Sequence, residues 1–232
     1  MNLGEKLISI NKKIELAQSK SVHKNLVKII AVTKTHPFAF IEKSYNSNIY
    51  SIGENKVQEA EKKFKSFEKM PKIERRFIGH LQSNKVRKCL SLFDTVDTID
   101  SVKLAKKISN IAKETNRDIT GLIEINTSGE SQKKGFLSKE VDDIQRCLNL
   151  PNLKIVGLMT IGPNTKNINK VRRAFKNLRE LKDFINLKNK NKNLTELSMG
   201  MSGDYEVAIE EGSTMIRLGT ALFGVRRVSI NL

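Results

Sequence analysis

The chain has 232 residues, 38% of them apolar, and carries 42 Lys and Arg against 25 Asp and Glu, a net charge of +17. That length and apolar fraction suit one larger domain and exclude wholesale disorder. The apolar runs are too short for a membrane span, and the charge-punctuated N-terminus lacks the core of a secretory signal.

Cys89 and Cys147 form no CxxC pair, which argues against a disulfide framework or a thiolate zinc site and makes a reducing cytoplasm the expected address. The positive charge invites a nucleic-acid reading. Against it, the lysines are spread along predicted helices (Lys12, Lys13, Lys62, Lys63, Lys106, Lys107), and Lys188–Asn193 has the composition of a solvated loop. There is no Trp, and aromatics are 6% of the chain, so little is available to stack bases. Specific nucleic-acid binding is therefore not expected as the main role, whereas weak attraction to anionic metabolites is.

Leu3, Leu7, Ile10, Ile14 and Ala17 recur at spacings of three and four, the apolar stripe of a helix over residues 3–20. Lys28–Thr33 is a short β-branched run that ends in Lys34 and is closed by Pro37: a buried strand with a polar residue at its C-terminal end. Ile49–Gly53 predicts a second strand, and Asn55–Glu68 a helix with Val57, Ala60, Phe64 and Phe67 inward. Arg76–His80 predicts a third strand, with a short helix over Ser83–Leu90. Thr95–Ile99 reads as the fourth strand, and Val102, Ala105, Ile108 and Ala112 stripe the helix after it. Gly121–Ile125 is the fifth, ahead of a polar loop at Thr127–Gly129. Ser138–Leu148 predicts a helix with Ser138 as N-cap and an acidic first turn that suits its dipole. Ile155–Met159 is the sixth strand, ended by Gly162 and Pro163, and Ile168, Val171, Phe175, Leu178, Leu181 and Ile185 stripe a long helix. Glu196–Met199 and Met215–Leu218 are the last strands, followed by helices over Asp204–Glu211 and Thr220–Phe223.

Eight strands, each followed by a helix, predict an α/β fold: a single (β/α)8 TIM barrel with an extra N-terminal helix, one domain over 1–232. An open doubly wound sheet is the alternative. Its GxGxxG fingerprint is missing, since Gly200-Met-Ser-Gly203 has a different spacing.

In a barrel the chemistry sits where strands end. The residues there are Lys34, Glu54, Asn55, His80, Gln82, Asp100, Asn126, Thr127, Thr160, Gly200, Met201, Ser202, Arg217, Gly219 and Thr220. Lys34 ends an otherwise apolar strand; desolvation and nearby cations would lower its pKa and make the amine nucleophilic, as Schiff-base chemistry requires. The alternative is a lysine that snorkels to solvent. Met201-Ser-Gly-Asp204 and Gly219-Thr220 each lead into a helix, where small residues let an anion approach backbone N–H groups. The alternative there is ordinary N-capping by Ser202 or Asp204. Closure of a barrel would set strand eight beside strand one, so Lys34, Arg217 and the Gly219-Thr220 amides would be neighbours. An amine for an aldehyde beside a phosphate cradle points to pyridoxal 5′-phosphate.

Seven segments together carry a resemblance: Ile30-Ala-Val-Thr-Lys34-Thr, Ile52-Gly-Glu-Asn55-Lys-Val-Gln-Glu59, Phe77-Ile-Gly-His80-Leu-Gln-Ser-Asn-Lys85, Asn126-Thr-Ser-Gly-Glu130, Gly157-Leu-Met-Thr160, Ser198-Met-Gly-Met-Ser202-Gly-Asp and Ile216-Arg217-Leu-Gly219-Thr-Ala-Leu-Phe-Gly224. They resemble, in order over nearly the whole chain, the pyridoxal phosphate homeostasis proteins (the YggS/PROSC family), whose barrel is similar to that of alanine racemase. The resemblance implies that Lys34 holds pyridoxal phosphate as a Schiff base. It also implies that Ser202, Gly219 and Thr220 bind the phosphate, that Arg217 faces the pyridine nitrogen, and that Asn55, His80, Met159 and Met201 line the pocket. Lys56, Arg75-Arg76 and Asp97-Thr98 depart from the family's usual residues, leaving the lysine, the phosphate turns and Arg217 intact.

An arginine at the ring nitrogen keeps its own proton and so weakens the cofactor as an electron sink. Racemisation needs a second acid/base on the far face of the ring, and Tyr205 falls at a predicted helix start, packed on the barrel wall. The resemblance thus implies a cytoplasmic carrier, not an enzyme, that stores the cofactor or delivers it to recipient enzymes, as a monomer or weak dimer off the membrane. A racemase of low activity is the alternative, and a polyanion binder that merely keeps the barrel is a third reading. His23, His36 and His80 show no metal spacing, so no metal is expected.

Overall fold

The computed structural model describes residues 2–130, 132–189 and 193–225. An N-terminal helix α1 (Leu3–Lys20) precedes β1 (Lys28–Val32), α2 (Ala39–Asn46), β2 (Ser51–Glu54), α3 (Val57–Lys63) and β3 (Glu74–Phe77). A 3-10 turn at Ser83–Lys85 leads into α4 (Val86–Leu92), then β4 (Thr95–Ile99), α5 (Val102–Glu114) and β5 (Ile119–Glu124). The order continues α6 (Val141–Leu148), β6 (Leu153–Met159), α7 (Ile168–Lys188), β7 (Glu196–Met201), α8 (Tyr205–Glu210), β8 (Met215–Leu218) and α9 (Thr220–Phe223).

The strands close in sequence order into a parallel barrel, with β8 returning to β1. The seam is in register from Lys28 opposite Met215 to Ala31 opposite Leu218. Parallel strands buried on both faces require continuous β-branched and apolar runs, as the sequence of β1 shows. Outside the barrel, α5, α6 and α7 pack Ile108, Ile144, Phe175 and Leu178 against the strands. Helix α1 buries Ile10, Ile14 and Ala17 in a second cluster with Tyr205, Ile209 and Leu222, which holds it against α8 and α9. Among the described residues, no helix is long and apolar enough to cross a membrane.

The interior of the barrel is unusually polar. Arg76 and Asp97 face each other inside, 1% and 0% exposed, with Nε and Nη2 of the arginine donating to the two carboxylate oxygens at 2.8 and 3.1 Å. Below them Glu74 and Glu196 add negative charge to the same guanidinium. Ile30, Leu122, Met159 and Met215 form the small apolar layer of the interior.

The structure corrects several sequence expectations. Helix α2 has no counterpart in them, because eight residues that bury only Ile41 and Ser44 leave almost no periodic signal. Helix α3 stops at Lys63 and not at Glu68: Phe64 turns extended, and its ring meets Phe67 and Phe93 edge-on. The third strand ends at Phe77, so His80 lies in a loop. Ser138 does not cap α6, which begins at Val141; the Glu140 carboxylate accepts from the Leu137 amide at 2.7 Å and holds a separate turn ahead of the helix. Ile168, placed on the buried stripe of α7, is 60% exposed because it is the first residue of the helix and lies beyond the barrel edge. Residues 190–192 of the expected Lys- and Asn-rich loop lie outside the described residues.

Candidate functional site at the C-terminal end of the barrel

Of the cavities at the strand ends, two meet at Lys34, and a third of about 680 Å³ lies on the far side of Met201, Ser202 and Gly203, against Gly162 and Asp204. The first, about 310 Å³, is lined by Val32, Lys34, His36, Met159 and Ile161, by Ser202, Gly203, Gly219 and Thr220, and by Arg217. The second, also about 310 Å³, is lined by Lys34, Asn55, Gly79, His80, Glu124 and Asn126, with Lys133 and Lys134 at its rim. These volumes sit at the lower end of the range for small-ligand sites. Ile78 and Ile161 border both. A larger groove of about 690 Å³ lies elsewhere, between α1 and the start of β1, away from every strand-end residue.

Lys34 is half-buried and extends from the end of β1 into this junction. It lines both compartments. The turns after β7 and β8 come together as barrel closure requires. Ser202 Oγ accepts from the Ala221 amide at 3.0 Å and ties the turn after β7 to the first turn of α9. At Gly200, φ is +96° and an added Cβ would lie 2.6 Å from the Ala208 side chain. Only glycine lets β7 turn that closely onto α8.

Arg217 enters from β8, opposite Ile30 of β1 and Met201 of β7. Its Nη1 donates to the carbonyl and hydroxyl of Ser198, both at 2.8 Å, and its Nη2 to the Thr160 carbonyl at 2.8 Å. Burial pulls the guanidinium down from its usual range, while Asp97, Asp204 and Glu124 push the other way. Asp204 in turn is raised, chiefly by burial, against the bond from the Met201 amide and the field of Arg217.

In the second compartment His80 Nδ1 stands 3.2 Å from Asp100 Oδ2. Gly79 packs on the backbone of Asn55 so closely that a Cβ would fall 2.1 Å from the Asn55 carbonyl oxygen. That contact joins the ends of β2 and β3 and sets Asn55 and His80 side by side. Glu124, the last residue of β5, is the buried carboxyl of this wall. Burial first, then Asp100, pushes it up to about 7, against the pull of Arg217 and Lys134.

Of the predicted site residues, Lys34, Met159, Met201, Ser202, Arg217, Gly219 and Thr220 share the first compartment, and Asn55 and His80 meet Lys34 in the second. Glu54, also at a strand end, does not join them; its carboxylate faces α3, where it binds Lys63. Sequence reasoning missed Glu124 and His36. A glutamate inside the apolar run of β5 was a usable signal. His36 carried none: its place comes from stacking on Phe40 at 4.5 Å and packing on Phe223 at 5.1 Å. Tyr205 is 4% exposed and packs in the outer cluster, as expected of a residue on the barrel wall.

The chain is thus a closed parallel (β/α)8 barrel whose C-terminal mouth carries a half-buried lysine, two small-residue turns and a buried arginine on one cavity. The family model of the alanine racemase N-terminal domain matches residues 6–227. The pyridoxal phosphate homeostasis protein of Aquifex aeolicus is 39% identical over 229 residues, covering 98% of this chain and all of that protein. Its counterpart in Synechocystis is 42% identical over 201 residues, covering 86% and 92% of the two chains. PipY of Synechococcus elongatus, solved with PLP bound, superposes with a TM-score of 0.84 at 32% identity over 96% of this chain and 100% of its own. The chain belongs to the pyridoxal phosphate homeostasis protein family, within the alanine racemase N-terminal domain fold.

Proposed function

We propose that this chain binds pyridoxal phosphate through Lys34 and serves intracellular vitamin B6 homeostasis, storing the cofactor or delivering it to recipient enzymes, without strong catalysis of its own. The observation that carries the reading is the shared position of Lys34, Ser202, Gly203, Gly219 and Thr220 on one small cavity over the Arg217 guanidinium. The residues fit the group: a lysine, small residues that admit an anion and a buried arginine line one cavity. When bound, the cofactor supplies an aldehyde that condenses with a primary amine as water leaves.

Each residue then has a task. Lys34 provides the amine. Ser202, Gly219 and Thr220 bind the phosphate through hydroxyl and backbone N–H groups. Arg217, held by Ser198 and Thr160, would meet the ring nitrogen and could not hand over a proton, because an arginine does not deprotonate in a protein. Met159 and Met201 would line the cavity around the cofactor with soft apolar surface, and Asn55 and His80 would border it from the second compartment. The naming of the relatives as homeostasis proteins and the bound PLP in PipY support this reading.

The test is a visible absorption spectrum of the purified protein with pyridoxal phosphate, then borohydride reduction and peptide mapping. A visible band and a single reduced adduct on Lys34 are expected. No band, or adducts scattered over surface lysines, would overturn the reading. Steady amino-acid turnover well above that of free cofactor, lost in Lys34→Ala, would make the protein a slow enzyme instead.

A further inference from the structure

Lys34 hangs between two peptide groups that are gripped from outside the barrel. The carbonyl of Thr33, just before it, accepts from Lys63 Nζ at 2.9 Å. The amide of Thr35, just after it, donates to Glu59 Oε1 at 2.5 Å. Lys63 joins the two grips, pairing with Glu59 at 3.1 Å and binding both oxygens of Glu54 at 2.8 and 2.9 Å. Thr33 Oγ1 closes the network by donating to Glu54 Oε1 at 2.6 Å. One ammonium, on the last residue of α3, therefore bridges the chain on both sides of Lys34.

The arrangement is costly to build, so a simple ion pair is an incomplete account of it. The side chains of Lys63 and Glu54 are 8% and 0% exposed, and buried charges persist only when paired and hydrogen-bonded. Thr35 sits at φ +65°, a left-handed conformation that a β-branched residue adopts only where its surroundings over-determine it. Two bonds supply that constraint: the His36 amide donates to the Thr33 carbonyl at 3.0 Å and closes a turn around Lys34 and Thr35, and the Thr35 amide donates to Glu59 and ties that turn to α3. Yet Lys63 lines neither compartment. Its contacts serve the backbone that aims Lys34, and touch nothing a ligand would touch.

We infer that Lys63 is a positioning residue: with Glu54 and Glu59 it clamps the Thr33–Thr35 backbone and so sets the reach of the Lys34 amine into the cavity. This rests on the reading of Lys34 as the cofactor-holding amine. A purely structural ion pair would support the whole site evenly, whereas a clamp on Lys34 acts only on ligands that use its amine.

Pyridoxine 5′-phosphate separates the two. It carries the same ring and phosphate but no aldehyde, so it uses the phosphate turns and not the lysine. Calorimetric titration of wild type, Lys63→Met and Glu59→Ala with pyridoxal phosphate and with pyridoxine phosphate, beside melting temperatures and borohydride trapping, makes the test. The clamp predicts that Lys63→Met weakens pyridoxal phosphate binding by roughly tenfold or more, about 1.4 kcal/mol. Pyridoxine phosphate affinity should stay near wild type. Glu59, 26% exposed, is the variant expected to fold in any case; it should show the same selective loss at a smaller size, and it decides the matter if Lys63→Met does not fold. Equal weakening of both ligands, or of neither, would overturn the clamp. A wild-type protein that forms no adduct on Lys34 would overturn the reading of Lys34 and the clamp with it, and that failure is visible before any variant is made.

Discussion

Replacing Glu124 with Gln tests the electrostatics of the barrel mouth without removing volume. The Glu124 carboxyl is 7% exposed, and its pKa moves from 4.5 to about 7, mainly through burial and then through Asp100. Unfolded, the group loses its proton near 4.5; folded, it keeps it until about 7. Below the lower value both states are protonated and the shift has no cost. Between the two, only the unfolded state releases the proton, so stability falls as pH rises, by about 1.4 kcal/mol per pH unit. Above the folded value the loss is complete, and a shift of this size amounts to about 3 kcal/mol. Gln cannot ionise and escapes that loss. Urea unfolding of wild type and Glu124→Gln from pH 4 to pH 8.5 should therefore give curves that nearly coincide near pH 4 and separate to about 3 kcal/mol above pH 7.5, the variant being the more stable. Subtracting one curve from the other cancels the other shifted carboxyls, Glu54, Asp204 and Glu196 among them. Parallel curves across the whole range would refute the reasoning, because they would mean that Glu124 ionises freely in the folded protein.

Other expectations are shorter to state. Lys34→Ala should remove the borohydride-trapped adduct while leaving the circular dichroism of the barrel intact, since the residue ends a strand and fills no core; a large loss of helical signal would contradict its placement. Ser202→Ala combined with Thr220→Val should reduce the preference for pyridoxal phosphate over pyridoxal, measured as a ratio of affinities; an unchanged ratio would put the phosphate elsewhere. Arg76→Met should destabilise by about 3 kcal/mol or more in urea titration, because it strands the wholly buried Asp97 carboxylate without its bidentate partner. A change under 1 kcal/mol would show that water or a neighbour replaces the arginine.

The barrel was legible because its local pattern repeats. The fourth and last strands match expectation residue for residue, Thr95–Ile99 and Met215–Leu218, as does the final turn of helix at Thr220–Phe223. Alternation of buried strands with amphipathic helices survives in sequence because each element must bury one face. Short or capped pieces did not survive as well. Helix α2 is too brief to show a period, and Ser138 has the composition of an N-cap but loses the role to a turn built by Glu140.

The sequence by itself determined the order of eight strands, the lysine at the end of the first, the small residues after the seventh and eighth, and the arginine of the last. These are properties of short segments, readable from neighbours in the chain. Tertiary structure decided which strand-end side chains share a cavity. Asn55 and Glu54 are adjacent in sequence, yet one borders the compartment and the other turns to Lys63 on α3, since Glu54 ends β2 and Asn55 already lies in the bend after it, against Gly79. Glu124 owes its raised pKa to burial beside Asp100, and His36 owes its place at the cavity to Phe223, a residue of the last helix. Burial, field and long-range packing are sums over residues far apart in the chain, so they exist only once the barrel has closed.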